Sequence, residues 1–554
     1  MDIIMKIFKL CMKYILRYKL TFIIYIIITM LTTVIGILSP YITGSFLDTL
    51  IEGGEISIVI NFCLVFGILN ILRILLGYTT SIIYIKMQVA MGHEFNCDII
   101  QHIQQLPLSF SLQNDSAYLN QRVNNDCNEL IIFCITILQN ILINFTMFFV
   151  TFTILLNMNW VITLIFMFFI AVYVILYFTF RKPLYKVSFD FKENQNKYFA
   201  SLFEQFAYRK LIKINSIQRE INKRLDKTFS TIMISVTKKQ KVNYLFSSLD
   251  NFTTTVAQIV LFIIGGTLIL AGNFTIGMFT IFSSYFNMMM SSIRYFFNLG
   301  ATYQNTLVAY NRITDIFAKS KENQGSKILS DINKITLSNI SFFYNKREIL
   351  RNFHTNFEKG NIYGITGPNG SGKSTLVNLI MGLQSNEESG GLKRGELKYN
   401  DVIISDLDMI DMRKNLIAFA EQEPFLINDT IMYNLIFSND IENLVHVEKL
   451  NECIKTLNME QFISNSSLDL LIDENNSNIS GGEKQKISIL RTLYKDVPLM
   501  IFDEPTSALD SATTEQFMKH LQKIKTDRII IIVTHDEYIK GECDLLLQMY
   551  SQIA

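Results

Sequence analysis

Residues Ile362 to Leu383 read IYGITGPNGSGKSTLVNLIMGL, an apolar strand followed by a glycine-rich turn and a helix. The segment from Gly367 to Ser374 fits the pattern G-x-x-x-x-G-K-[ST], in which glycines let backbone N–H groups surround a phosphate. The helix start adds the positive end of its dipole. The segment therefore predicts a phosphate-binding loop, in which Lys373 reaches the phosphates and the Ser374 hydroxyl binds Mg²⁺. An accidental glycine turn is the alternative, and the residues further along the chain argue against it.

A second apolar strand, PLMIFDEP at 498–505, ends in two acids. In a parallel sheet the carboxyl ends of the strands form the ligand-binding edge, so this strand is expected to end beside the phosphate loop. Asp503 would hold Mg²⁺ through water, and Glu504 would act as the general base on an attacking water.

A third segment, NISGGEKQK at 478–486, opens another helix. Ser480 can cap that helix, and Gly481 and Gly482 leave backbone N–H groups accessible. The chain therefore carries two helix starts that suit an anion.

The composition indicates that part of the chain lies in a membrane. It has 554 residues, of which 49% are hydrophobic, and its mean hydropathy is +0.27. A formal net charge of +1 gives no overall bias toward nucleic acid. The seven cysteines show neither a C-x-x-C pair nor alternation with histidines, which argues against a zinc site and a disulfide framework. No small-residue cleavage site follows the first apolar run, so no removable signal peptide is expected.

Six apolar stretches have the length of about 20 residues that crosses a hydrocarbon core of ~30 Å. They lie near 20–42, 57–85, 130–156, 160–180, 252–271 and 275–299. The short connections between them hold no Lys or Arg, whereas the long connections hold many. The positive-inside rule then predicts that the N-terminus, the long connections and the C-terminal half are cytoplasmic.

Composition also gives the domain boundaries. Residues 1–19 predict an amphipathic helix in the membrane interface, with a soluble surface helix as the alternative. The long connections show helical spacing, so the membrane helices are expected to continue into the cytoplasm. The polar segment near 321 predicts a transmembrane domain over 1–320, a linker over 321–332 and an α/β domain over 333–554.

Two arginines, Arg73 and Arg294, stand inside predicted spans that contain no Asp or Glu. Counted from the outer helix ends at ~1.5 Å per residue, both are expected near the inner leaflet. They either line a cavity that attracts a carboxylate or phosphate of a cargo, or extend to the cytoplasmic interface. The last span suits either adaptable contacts with an apolar cargo or lipid-facing packing; its soft side chains are Met288, Met289, Met290, Phe282, Phe286, Phe296 and Phe297.

Taken together, the motifs resemble those of the ATP-binding cassette transporters, and the resemblance covers essentially the whole chain. The signature turn of that family is usually Leu-Ser-Gly-Gly-Gln, and Ile479 and Glu483 replace its Leu and Gln here. The family's cross-linking loop corresponds to IDENNSN at 472–478, which keeps Glu474 but has Asp473 and Asn476 where the family has glycines.

The resemblance implies further site residues. Tyr344 in ISFFY corresponds to the aromatic residue that stacks on adenine, and Gln422 in AEQEPFL to the Q-loop glutamine that senses Mg²⁺. Asp510 in SALD corresponds to the D-loop residue at the dimer contact, and His535 in VTHD to the switch histidine that contacts the γ-phosphate. The implied catalytic residues are Lys373, Gln422, Glu504 and His535, and the implied Mg²⁺ ligands are Ser374, Gln422 and Asp503. The implied ATP contacts are Tyr344, Gly367, Asn369, Gly370, Ser371, Gly372, Lys373, Ser374, Thr375, Ser480, Gly481, Gly482 and Asp510.

The resemblance also implies an architecture: a six-helix, all-α transmembrane domain followed by an α/β P-loop ATPase domain, as in an exporter-type (type IV) half-transporter. In that family the signature turn of one subunit covers the ATP bound by the other, so the chain must pair with itself or with a related half-transporter. The coupling helices would correspond to about 108–115 and 205–213. Little of the family's C-terminal helices would follow His535. No cysteine-peptidase pattern precedes the spans, so no leader cleavage is expected.

The resulting expectation is ATP-driven export of a hydrophobic or amphipathic cargo, such as a bacteriocin-like peptide, a drug or a lipid, across a bacterial cytoplasmic membrane. An importer that uses the same fold and an ATP-gated channel or sensor are the alternatives. An intact Glu504 argues against the channel or sensor, because a protein that only binds ATP needs no general base.

Overall fold

The computed structural model describes residues 2–53, 55–108, 110, 119–120, 122–322, 325–344, 347–384, 390–437, 444–456, 468–473, 478–506 and 509–550. The chain divides into two compact units. One comprises Met1–Ile100 and Leu119–Phe317, and the other comprises Gln101–Tyr118 and Ala318–Ala554. The first is helical, and the second, which we call the cassette unit, combines two sheets with short helices.

Long helices build the first unit. Their bounds are Asp2–Arg17 (α1), Lys19–Ile51 (α2), Ile56–Gln104 (α3), Cys127–Met158 (α4), Trp160–Ala207 (α5), Arg209–Ile214 (α6), Gln218–Leu270 (α7) and Ile276–Phe317 (α8), with a π-helical turn at Arg122–Asp126 before α4.

Within the described residues, five helices are long and apolar enough to cross a membrane: Lys19–Ile51, Ile56–Gln104, Arg122–Met158, Trp160–Ala207 and Gln218–Leu270. The sixth apolar stretch of the sequence lies on α8, where several Ser and Asn residues interrupt it.

The long connections of the sequence are continuous with the membrane helices. α3, α5 and α7 are 49, 48 and 53 residues long, which exceeds what a bilayer requires. The second predicted coupling segment contains the short helix α6, which lies between α5 and α7. Most of the first, 109 and 111–115, falls outside the described residues.

The soft side chains of α8 are mainly core residues. Phe282, Phe286, Met289 and Met290 are fully buried, and the Phe286 ring lies 4.1 Å from that of Phe166 on α5. Neither sequence-based interpretation, cargo contact or lipid-facing packing, fits these four residues. They pack against other helices because α8 lies inside this unit.

Arg294 does have an acidic partner, contrary to the sequence-based expectation. Its Nη2 donates to Asp250 Oδ1 and to Thr254 Oγ1, each at 2.9 Å. Asp250 lies on α7, just before the apolar stretch counted from the sequence, and the antiparallel run of the helices brings it level with Arg294. This arginine therefore has a structural role.

The apolar face of α1 is covered by protein. Ile7, Cys11 and Tyr14 are buried, and the Tyr14 hydroxyl donates to Asp98 on α3 at 2.9 Å. Lys13 and Arg17 form ion pairs with α3, at 2.6 Å from Asp98 and 2.7 Å from Glu94. Two ion pairs and one hydrogen bond thus hold the helix against α3.

The cassette unit contains two sheets. An antiparallel sheet has the order β2-β1-β4-β5, with strands Lys334–Tyr344 (β1), Arg347–Glu358 (β2), Gly390–Tyr399 (β4) and Val402–Ile403 (β5). A parallel sheet has the order β6-β7-β8-β3-β9, with strands Ile362–Thr366 (β3), Ile417–Ala420 (β6), Leu499–Asp503 (β7), Ile529–Val533 (β8) and Leu545–Gln548 (β9). The helices are Lys373–Ile380 (α9), Met409–Asn415 (α10), Ile431–Ile436 (α11), Leu444–Thr456 (α12), Gly481–Lys495 (α13), Ser511–Ile524 (α14) and Glu537–Glu542 (α15).

The parallel sheet is buried on both faces. Along β8, Ile530 and Ile532 point into one apolar core, which α13 and α14 complete. Ile529 and Ile531 point into the other, which the antiparallel sheet and α9 complete. An uninterrupted apolar strand such as IIIIV is the sequence pattern that this position requires.

The residues of the predicted linker lie along the cassette unit. Gly325 N–H donates to Leu407 C=O at 3.0 Å, and Lys327 N–H donates to Asp406 C=O at 2.9 Å. Just before them, the Glu322 carboxylate accepts from both terminal nitrogens of Arg413, at 2.7 and 2.9 Å. These contacts make the described part of the linker an ordered edge of the unit rather than a free tether.

Candidate nucleotide site

The predicted catalytic residues follow the ends of four neighbouring strands. In the order β6-β7-β8-β3, Gln422 follows β6, Glu504 follows β7, His535 follows β8 and the phosphate loop with Lys373 follows β3. Because parallel strands present all their carboxyl ends at one edge, segments far apart in sequence meet there. Sequence spacing could not show that β8 lies between β7 and β3.

The phosphate loop has the backbone that its glycines allow. Gly370 and Gly372 have φ of 80° and 96°, in the region that glycine adopts without strain. A Cβ on Gly372 would also lie 3.0 Å from the Ile349 side chain, so the loop is closely packed there. The loop borders an open cavity of about 470 Å³, lined by Asn369, Gly370, Gly372, Lys373, Ser374, Thr375, Gln422, Asp503, Glu504, Arg347 and Ile349.

Lys373 is buried and held by the loop itself. Its Nζ donates to the Gly367 carbonyl at 2.7 Å, and the His535 Nε2 lies 3.0 Å away. Burial lowers the pKa of Lys373, which the nearby carboxylates of Glu504 and Asp503 partly offset. A triphosphate would supply the negative charge that this ammonium lacks.

Glu504 occupies a strained backbone position. Its φ is 48°, unusual for a residue with a side chain. Its N–H donates to Val533 C=O at 2.9 Å, and its C=O accepts from the Gln485 side chain at 2.6 Å. Two hydrogen bonds therefore hold a conformation that aims the carboxylate into the cavity, as expected for a functional residue.

The Glu504 carboxylate meets two other predicted catalytic residues. Gln422 Nε2 donates to Glu504 Oε2 at 2.6 Å. His535 Nε2 lies 3.7 Å from Glu504 Oε1. A water placed between the carboxylate and a phosphate would thus be contacted by a base, with an amide and an imidazole beside it.

The predicted Mg²⁺ ligands fit a hard cation. Ser374, Gln422 and Asp503 line the same cavity and offer hydroxyl, amide and carboxylate oxygens, which Mg²⁺ prefers. Burial, followed by the neighbouring Glu504, raises the pKa of Asp503 to about 6. Such crowding of buried carboxylates disfavours ionisation unless a cation is bound.

The signature residues do not line this cavity. Ser480 caps α13, where its Oγ accepts from Glu483 N–H at 3.3 Å and donates to the Glu483 carboxylate at 2.6 Å. Gly481 and Gly482 open the same helix. Asp510 caps α14 through Thr513 N–H at 2.7 Å. Within the described part of one chain, these residues and the phosphate loop do not form a single pocket.

Sequence reasoning missed three residues of the site. Arg347 and Ile349 line the cavity from β2, and Gln485 holds the Glu504 backbone. Gln485 could have been suspected as a polar residue on the buried face of α13. Arg347 gave no signal, since its position depends on its pairing opposite Tyr344. The Tyr344 side chain, Glu474 and Asn476 lie outside what the structure describes.

Comparisons with known proteins support the same family. The family model for the ABC transporter transmembrane region matches residues 22–293, and the family model for the ABC transporter matches residues 350–507. The chain is 25% identical over 524 residues to the lactococcin-G-processing and transport ATP-binding protein LagD of Lactococcus lactis subsp. lactis, covering 93% of this chain and 73% of that protein. It is 24% identical over 545 residues to the putative multidrug export ATP-binding/permease protein YgaD of Bacillus subtilis strain 168, covering 96% and 92%.

A solved structure has the same fold. The structure of a bacterial Atm1-family ABC exporter with ATP bound superposes with a TM-score of 0.80 at 18% identity, covering 97% of this chain and 93% of that one. The residues at the four strand ends, the two family matches and this fold all indicate the same family. The chain belongs to the ABC transporter family, as a multi-pass membrane protein of exporter-type fold whose helical region is fused to an ATP-hydrolysing domain.

Proposed function

We propose that two such chains form an exporter that couples ATP hydrolysis to the movement of an apolar or amphipathic cargo out of a bacterial cell. The observation that carries the proposal is the meeting of Lys373, Gln422, Glu504 and His535 at four neighbouring strand ends. A protein that only bound nucleotide would need Lys373 but not a strained, cavity-facing carboxylate.

The proposed roles follow from the contacts. Lys373 and the loop N–H groups bind the β- and γ-phosphates, and Ser374, Gln422 and Asp503 hold Mg²⁺, which neutralises charge on the phosphates. Glu504 accepts a proton from the attacking water, and Gln422 and His535 orient that water and the γ-phosphate. Arg347 and Ile349 line the side of the cavity that takes the nucleoside, and Tyr344 is the residue proposed to stack on the adenine.

Dimerisation supplies the residues that one chain does not bring to its own cavity. In the proposed dimer, the signature turn of one copy, with Ser480, Gly481 and Gly482, covers the ATP held by the other, and Asp510 lies at the contact. Closure of the two cytoplasmic cassette units then moves the long helices and turns the membrane cavity outward. A homodimer has two equivalent sites, and pairing with a related half-transporter is the alternative.

The cargo class follows from the membrane helices and the relatives. One relative's name refers to lactococcin-G processing and transport, and another's to multidrug export. An amphipathic peptide or another amphiphile suits the apolar helices, with lipids and drugs as the alternatives. An importer with this fold remains the second candidate for the direction of transport.

Replacing Glu504 with glutamine tests the mechanism. We expect ATP turnover by the purified protein to fall by about 100-fold or more, because the general base is lost. Binding of a fluorescent ATP analogue should stay within about twofold, because Glu504 makes no required contact with bound nucleotide. Glu515→Gln, at an exposed residue paired with Lys519 on α14, is the matched control. Undiminished turnover by Glu504→Gln would contradict the mechanism.

Vesicle orientation tests the direction. An exporter should accumulate a hydrophobic dye in inside-out vesicles when ATP is added outside. Accumulation only in right-side-out vesicles loaded with ATP would instead support the importer.

A further inference from the structure

Two aromatic contacts fix the register of α3 against α2 around Arg73. The Phe46 and Phe62 rings stack at 3.8 Å, and the Tyr25 and Tyr84 rings lie 6.1 Å apart. Both pairs join α2 to α3, so the two helices run antiparallel in a fixed register. Arg73 lies midway between the pairs on α3, about 16 Å from each at ~1.5 Å per residue. Gly36 lies about midway between the same pairs on α2.

The guanidinium of Arg73 reaches sideways to α2. A methyl group on Gly36 would lie 3.5 Å from both Cζ and Nη2 of Arg73. Gly36 is at the same level of the hairpin, so the side chain does not extend toward the cytoplasmic interface. In this conformation the side chain points across to α2 rather than along α3.

Arg73 meets α2 one turn before a proline. Pro40 lies inside α2 and has no N–H for the carbonyl of Gly36, one turn earlier. The Tyr285 hydroxyl donates to the neighbouring carbonyl of Ile37 at 2.8 Å. The residue that faces the guanidinium is therefore also the one whose carbonyl lacks its helical donor.

The membrane-spanning segments contain no carboxylate that could pair with Arg73. No Asp or Glu occurs at 20–47, 57–85, 130–156, 160–180 or 252–299, and Asp250 is paired with Arg294. A second copy has the same spans and adds no acid. Among the described residues Arg73 has no ion-pair partner, and its side chain is exposed on α3, whose apolar stretch is not buried within the chain.

We propose that Arg73, with the Gly36–Pro40 segment of α2, forms an intramembrane site for the anionic group of an amphipathic ligand, a carboxylate or phosphate carried on an apolar chain. A cation in hydrocarbon without a partner is strongly disfavoured, so an anion that enters with its own apolar part is the ligand that this surface fits. The apolar side chains of α2 and α3 on either side of Arg73 would contact the chain. The site deepens the proposed exporter function, because it names the cargo as an amphipathic anion.

Photolabelling in nanodiscs of phosphatidylcholine tests the site. The probe is a diazirine-bearing palmitate, and its methyl ester, which has the same chain without the charge, is the comparison. We expect the acid to label α2 and α3 of the full-length protein near Gly36 and Arg73 about tenfold more than the ester does, as a charge-assisted hydrogen bond implies. Arg73→Ala and Arg73→Gln should abolish that difference, and Arg73→Lys should keep part of it.

The control is Asn70→Ala, which changes a polar residue one turn away on α3 whose amide donates to its own helix. It should preserve the preference for the acid. Equal labelling by acid and ester in the unchanged protein, or an unchanged preference in both Arg73→Ala and Arg73→Gln, would overturn the proposal.

Two further readouts separate the sources of the anion and the two proposals. If a membrane phospholipid occupies the site, added phosphatidylglycerol should displace the palmitate probe. If the site binds free amphiphiles, labelling by the palmitate probe should be unchanged when phosphatidylglycerol is added. Basal ATP turnover of the same samples reports on the exporter mechanism. A protein that hydrolyses ATP but shows no Arg73-dependent labelling would refute the anion site alone. Labelling without turnover would refute the exporter mechanism alone.

Discussion

Asp503 shows how a functional residue can weaken the fold that carries it. It ends the buried strand β7, and burial together with Glu504 raises its pKa to about 6 from an ordinary value of 3.8. A raised carboxyl pKa means that the folded state holds a proton more tightly than the unfolded state does. Stability without nucleotide should therefore fall as the pH rises from about 4 to about 6 and stay lower above that range.

Asp503→Asn should consequently stabilise the nucleotide-free protein at pH 7.5, by roughly 2 kcal/mol as an order of magnitude. The gain should disappear near pH 4, where Asp503 is protonated in both states. Thermal unfolding in detergent at both pH values measures this difference. A gain of equal size at both would show that charge is not its cause.

Glu483 places a negative charge at the signature turn. The hydrogen bonds from Ser480 lower the pKa of Glu483, so the carboxylate stays ionised at neutral pH. In the proposed dimer this charge lies near the triphosphate held by the other copy, and repulsion weakens closure.

Glu483→Gln keeps an acceptor for the Ser480 cap and removes the charge. We expect the KM for ATP to fall about threefold to tenfold, which is the effect of one partly screened charge. Steady-state ATPase measurements at low and high salt test this, since salt should narrow the difference. A higher KM would contradict the proposed position of the signature turn.

At the scale of elements, the C-terminal end of α2 and the start of α8 are joined closely. The Asp48 carboxylate on α2 accepts from Gly277 N–H and from the Thr275 hydroxyl, each at 2.6 Å, and so caps the start of α8. A Cβ on Gly277 would overlap the Gly44 carbonyl oxygen. Small residues let the two backbones approach, as is common for helices in membranes.

Gly277→Ala should therefore separate the two helices and destabilise the helical unit by about 1 to 3 kcal/mol. A lower apparent Tm in detergent measures this. Gly266→Ala on α7, where an added Cβ meets no atom within 4 Å, is the matched control and should leave Tm unchanged. Equal effects of both substitutions would contradict the close approach.

At the scale of the whole molecule, the proposed ATP site is shared between two chains. Lys373→Ala and Ser480→Ala each remove one half of both sites in a homodimer. A mixed dimer of the two variants contains one site with Lys373 and Ser480 both intact and one that lacks both.

Co-expression of the two variants should therefore restore a substantial part of the ATP turnover that each lacks alone. Affinity purification through two different tags, followed by an ATPase assay, isolates the mixed dimer. A mixed dimer as inactive as its parents would place Lys373 and Ser480 in the same site of one chain, or show that a single site cannot turn over.

The sequence by itself determined the chemistry and the fold class. A phosphate loop requires glycines at fixed positions, a buried parallel strand requires an unbroken apolar run, and a membrane helix requires about 20 apolar residues. These are local constraints, so Gly367, Asp503 and the long helices could be recognised from neighbouring residues alone, whereas His535 was implied only by the resemblance to a family.

Only the tertiary structure decided which distant residues meet. The order β6-β7-β8-β3 brings Gln422, Glu504 and His535 together, and the register of the helices pairs Arg294 with Asp250 and places Arg73 against Gly36. Strand order and helix register depend on packing summed over many side chains far apart in the chain. No short stretch of sequence contains that information.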